Sequence, residues 1–222
     1  MSELSIWNLA LTRVGNAANV SSPSEASREA ELCRQFYGIA RNSLLELHDW
    51  NFATTRDFLA LTEDPSPWAR WAYRYAAPAN AVRVFQVGSE EVLEASDYTN
   101  DALRIAAPSA SYGSPQEADQ FLREVTPDGE PIIYSNVEDA VARYTILVTD
   151  TARFSPLFID TLGWMLASYL AGAILKGETG RAEAQRLYGI ALSMLGRGAA
   201  SDSNQRRETD YRETHTAPWM RR

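Results

Sequence analysis

Residues 155–177, "SPLFIDTLGWMLASYLAGAILKG", constrain the fold more than any other stretch of this chain. Ser155 is placed to cap a helix, and Pro156 to fill its first position, where a missing N–H costs nothing. Leu162, Met165, Leu166, Tyr169, Leu170, Ala173 and Ile174 then make a wide apolar face, and Gly177 closes the helix. From Thr161 to Leu175 there are 15 residues without a charge. That run falls short of the roughly 20 apolar residues of a bilayer span. Gly163, Ser168 and Gly172 suit close helix packing, so the segment reads as a core helix that other elements must surround.

Several flanking segments supply them. Residues 2–15, "SELSIWNLALTRVG", place Ile6, Leu9, Ala10 and Val14 on one helix face and stop at Gly15. In "SSPSEA", Ser22 reads as an N-cap, Pro23 as the first helical residue and Glu25 as the far side of a capping box. Cys33, Phe36, Ala40, Leu44 and Leu47 follow at helical spacing, predicting a helix of about seven turns. Helical periodicity returns in "NVEDAVARYTILVTDTARF", with Asn136 as its cap. A last helix, from about Gly180 to Leu195, is expected to turn Ala184, Leu187, Tyr188, Ala191, Leu192 and Leu195 inward.

The middle of the chain has a different grain. "TEDPSPWARWAYRYAAPANAVRVFQV" opens on two prolines and becomes aromatic and β-branched. Short strands are predicted at Val82–Val87, Val92–Ala95, Leu103–Ile105 and Pro131–Ser135. The Gly-, Pro- and Ser-containing stretch "APSASYGSPQEADQFLREVTPDGEP" reads as a loop or flexible insertion, with "PDGE" as a turn. The predicted fold class is mainly α: a bundle of four to five helices with a small inserted β-rich element and an extended C-terminal arm. Residues 1–56 and 136–200 form the helical bundle domain, 57–135 the inserted β-rich domain, and 201–222 the arm.

At the end of the second helix stands "HDWNFATTR". Trp50 and Phe52 are expected to pack beneath the β element, with Asn51 bonding to backbone where the helix ends, so the motif is a structural corner. The arm, "SDSNQRRETDYRETHTAPWMRR", is nearly free of apolar residues until Trp219 and Met220. The whole stretch from Gly196 is expected to be extended or disordered in an isolated monomer. Its last residues are of the kinds that dominate binding hot spots.

Chemistry is harder to find. The single cysteine, Cys33, excludes an internal disulfide and a cysteine-based zinc site, and lies on an apolar face. The two histidines, His48 and His215, have no metal-ligand spacing, and His48 beside Asp49 is not a dyad, because adjacent helical side chains diverge. Carboxylate pairs such as Glu90 with Glu91 and Glu138 with Asp139 carry no separation in space. "WARWAYRYAAP" alternates basic and aromatic residues as a single-strand stacking surface would. Trp68, Trp71, Tyr73 and Tyr75 read better as a core-and-interface strand. No catalytic residue, cofactor or metal is expected.

The net charge of −8 opposes a protein that grips duplex phosphates broadly. The cations are 20 arginines and one lysine, Lys176. The first residues hold no secretory signal pattern, and no membrane association is expected.

The order of "WNFAT", then "YRYAAPANAVRV", "IIYSN" and "FSPLFIDTLGWMLASYLAGAI" resembles the head-to-tail adaptor proteins of short-tailed bacteriophages, also called tail tubular protein A. The resemblance runs from about Leu4 to Ala200. It implies a non-enzymatic structural protein of the virion neck, a homo-oligomeric ring of twelve copies that joins the portal protein to a tail nozzle of the tail tubular protein B kind, with a tail fibre as a further partner. DNA passes through such a ring without specific binding, and acidic charge suits a channel that must not hold phosphate. The resemblance makes residues 201–222 the portal-docking arm, with Arg206, Arg207, Tyr211, Arg212, Trp219, Met220, Arg221 and Arg222 as its contacts. An alternative is the same adaptor with peptidoglycan hydrolase activity.

Overall fold

The computed structural model describes residues 1–17, 19–62, 70–90, 93 and 120–204. Four helices appear among them: α1 (Glu3–Val14), α2 (Arg28–Leu47), α3 (Pro156–Leu175) and α4 (Gly177–Asn204). The strands are β1 (Thr54–Phe58), β2 (Ala60–Leu61), β3 (Tyr73–Ala76), β4 (Ala81–Gly88), β5 (Phe121–Val125), β6 (Pro131–Ser135) and β7 (Val141–Ile146). They form two antiparallel sheets, ordered β1-β7-β4 and β2-β3-β6-β5. The fold is therefore mixed α/β rather than mainly α.

The chain divides into two compact units. The first combines Met1–Arg56, Pro78–Phe85 and Arg143–Asp202; the second takes its described residues mainly from Asp57–Ala77 and Gln86–Ala142. The expected inserted segment, 57–135, thus reaches further, to Ala142, and gives 78–85 to the first unit. A further difference lies in "AVARYTI". Val141, Tyr144, Thr145 and Ile146 are β-branched or aromatic, and they form β7 instead of the predicted helix.

The core of the first unit is α3. Ser155 caps it through a bond from the Phe158 N–H, and Pro156 stands in its first turn. Phe158, Leu162, Met165, Leu166, Ala167, Leu170 and Ala171 are buried among α1 and α2 side chains such as Trp7, Leu11, Cys33 and Leu44. By length and composition alone α3 would span a membrane, but most of its apolar window is buried in the protein. Arg13 fastens α1 to α3: its guanidinium donates to the Asp160 carbonyl at 2.7 Å, pairs with the Asp160 carboxylate and lies 4.0 Å over Trp164. Gly163 leaves room for it, since a Cβ there would stand 2.6 Å from Arg13 Nη1.

Helix α2 starts later than predicted. Its N-cap is Ser27, and the helix has 20 residues. Ser22–Glu25 form a separate turn instead, in which the Glu25 carboxylate accepts from the Ser21 N–H at 2.8 Å and the Ser21 hydroxyl at 2.9 Å. The Ser21 N–H is the chief cause holding Glu25 near a pKa of about 2. The Glu25 carboxylate thus closes the loop that leads into α2 rather than capping a helix begun at Pro23.

Helix α4 differs in the other direction. It runs 28 residues, to Asn204, well past the predicted end at Leu195 and into the stretch expected to be extended. Along it Gly180, Leu187, Ala191, Gly198 and Asp202 are buried, whereas Tyr188 and Leu192 are exposed rather than inward.

In the second unit, β3 pairs with β6 in the register Tyr75↔Ile133, and β6 with β5 in the register Ile133↔Arg123. β5 lies in the stretch predicted as a loop. β5 and β6 are joined by the "PDGE" turn, where the Gly129 N–H donates to the Thr126 carbonyl and Gly129 takes φ +89°. Trp71 packs with Ile132 and Tyr134, and the buried Tyr75 donates its hydroxyl to the Val137 carbonyl at 2.6 Å.

Candidate functional site: the corner after α2

Helix α2 ends at His48 in extended backbone, leaving carbonyls of its last turn without helical partners. Trp50 answers one of them: its indole N–H donates to the Leu44 carbonyl at 2.8 Å. The chain then makes a 3₁₀ turn, Asn51–Ala53, whose first carbonyl, that of Trp50, accepts from the Ala53 N–H and from the Thr54 hydroxyl. The corner is thus specified by local hydrogen bonds before any distant contact forms.

Its rings pack on helices, which corrects the expectation that they lie beneath the β element. Trp50 meets Phe158 of α3 edge-on, with centroids 5.0 Å apart, and Phe52 stands 5.0 Å from Phe158 and 5.7 Å from Phe154. On its far side Trp50 reaches α4. A Cβ on Gly198 would stand 2.9 Å from Trp50 Cη2. An aromatic quartet, with Trp50 and Phe52 each edge-to-face with the buried Phe158, gives this corner both area and direction.

Asn51 reaches the same helix. Its backbone N–H donates to Asp202 Oδ2 at 2.9 Å and its side-chain amide donates to the Asp202 carbonyl at 2.7 Å. His48 Nε2 faces the same carboxylate at 3.5 Å, and its ring stands edge-on to Trp50 at 4.8 Å. Around the rim Arg83 lies 3.4 Å from the Asp49 carboxylate, and Arg153 donates to the Phe52 carbonyl at 2.9 Å. Asp202 is the residue that sequence reasoning missed, since it falls in the stretch from Gly196 expected to be extended or disordered. The signal was present: 180, 184, 187, 191, 195, 198 and 202 continue one helical stripe, and Asp202 is its last member.

A histidine facing a buried carboxylate forms two parts of a hydrolytic triad. Here, however, the carboxylate is engaged by the Asn51 backbone N–H, and the imidazole stands edge-to-face with an indole. The arrangement fastens one helix end to another. Among the described residues no group of three or more His, Cys, Asp or Glu is placed to hold a metal ion.

Elsewhere, Trp71 and Tyr75 of the aromatic–Arg stretch are buried in the second unit, and Arg70 lies 5.1 Å over the Trp71 ring. Those two rings are core, not stacking platforms. Trp68 lies outside the described residues. So do the expected portal contacts Arg206, Arg207, Tyr211, Arg212, Trp219, Met220, Arg221 and Arg222, and the predicted strands at 92–95 and 103–105, apart from Leu93. No protein-family model matches the chain, and no curated protein is similar enough to count as a match.

Proposed function

We propose that this chain is a structural, non-enzymatic virion protein: a head-to-tail adaptor that forms a homo-oligomeric ring between the portal and the tail nozzle and lets DNA pass. The observation that carries this reading is the ordered run of "WNFAT", the aromatic–proline–strand unit and "FSPLFIDTLGWMLASYLAGAI". The geometry adds support. "WNFAT" is the corner at which Asn51 grips the end of α4, so the chain leaves for the arginine- and aromatic-bearing arm from a fixed point. A fixed departure point suits an arm that must find a site on another subunit. The net charge of −8 suits a channel that repels rather than holds phosphate.

Electron microscopy of the purified protein mixed with the cognate portal tests the reading. The expected image is a ring seated beneath the portal. Particles of bare portal beside free monomer at saturating concentration would overturn it.

A further inference from the structure

We propose that the last turns of α4, residues 196–204, act as a latch: helical while Asp202 is docked at Asn51, and released to coil when that docking is lost. The inference does not depend on what the chain assembles with.

Six of the segment's nine residues argue against helix, Arg197, Ala199 and Ala200 being the exceptions. Gly196, Gly198, Ser201, Asp202, Ser203 and Asn204 are all weak helix formers, through backbone entropy or side-chain competition for backbone groups. It has no apolar side chain larger than alanine with which to bury a face. Asp202 is worse placed still, because an acid near a helix C-terminus faces the negative end of the helix dipole. Yet the structure is helical through Asn204.

Two contacts account for that. Gly198 packs against the indole of Trp50, where a Cβ would stand 2.9 Å from Cη2. One turn later Asp202, 6% exposed, accepts from the Asn51 N–H and side-chain amide and faces His48. The segment's other residues are exposed or half-buried. Helicity here is conferred by docking rather than by propensity, so it ends when the docking ends. Release would stretch the nine residues from roughly 14 Å, at 1.5 Å each, toward roughly 30 Å. Release therefore adds roughly 16 Å to the reach of whatever follows residue 204, without unfolding the core.

Trypsin reads the latch directly, because the exposed Arg197 lies inside the segment. In the full-length protein the Arg197–Gly198 bond should be cut slowly. In Asp202→Ala it should be cut at least tenfold faster, with the near-ultraviolet circular dichroism of the core unchanged. Adding Gly196→Ala to that variant should slow the cut again, since a Cβ there meets nothing within 4 Å and raises helix propensity. Equal cleavage of wild type and Asp202→Ala would overturn the proposal. So would faster cleavage accompanied by loss of the core signal, or failure of Gly196→Ala to slow it.

Discussion

Trp50 touches three helices at once: its N–H serves Leu44 of α2, its ring stands edge-to-face with Phe158 of α3, and its benzo rim abuts Gly198 of α4. Truncation would leave a void and an unsatisfied carbonyl together, so Trp50→Ala should cost about 3–5 kcal/mol, read from chemical denaturation. A cost below about 1 kcal/mol would show that the ring is not the keystone of the corner. Two other buried residues of the first unit set its response to alkali. Burial, with the Glu29 charge second, pushes the Cys33 thiol from 9.0 up to about 12. Burial, with the Glu3 charge second, pushes the Tyr37 hydroxyl from 10.0 up to about 12. Raised pKa values in the folded state mean that the unfolded chain sheds these protons first. Their contribution is complete below about pH 9 and drains away as pH climbs toward 12. Cys33→Ala and Tyr37→Phe together should flatten denaturation midpoints measured across that window; an unchanged slope would place the alkaline loss elsewhere.

Among the elements, the turn between β5 and β6 offers the cleanest test of a local rule. Gly129 sits at φ +89°, so Gly129→Ala should destabilise by about 1–2 kcal/mol, measured as a lowered thermal midpoint, without changing the fold. A midpoint equal to wild type would mean that the turn relaxes at no cost. That turn was legible from "PDGE", as were the cap and first turn of α3 from "SP" and the stop of α1 from Gly15, because each rests on chemistry within four residues. The start of α2 was misread since Ser22-Pro23-Ser24-Glu25 fits a capping box and a stand-alone turn equally well. β7 was misread because "AVARYTI" buries residues on both faces, which erases the period that separates strand from helix. The corner itself was half legible: Trp50, Asn51 and Phe52 announced a joint, and the stripe from 180 to 202 carried Gly198 and Asp202, but that the two sets meet follows from tertiary contact alone.

For the molecule as a whole, the proposed adaptor role and the latch place different demands on the same terminus. Deletion of residues 205–222 keeps Asp202 and Asn204, and so should leave the thermal unfolding of the first unit within a few degrees of wild type. The same truncation should lose retention on immobilised portal. Full retention by the truncated protein would remove the arm from the portal interface. The separation is sharper than a cut at 201, which would take Asp202 away and mix a folding defect with a binding one.

The grip of Asn51 on Asp202 spans 151 residues of chain. During synthesis the corner would leave the ribosome long before the helix that completes it, and the Trp50 indole would wait uncovered through translation of the entire second unit. A contact so late in sequence slows the search for the native state and lengthens exposure to wrong partners. Nascent chains stalled shortly before residue 198 should therefore recruit chaperones that chains stalled well after residue 204 no longer need.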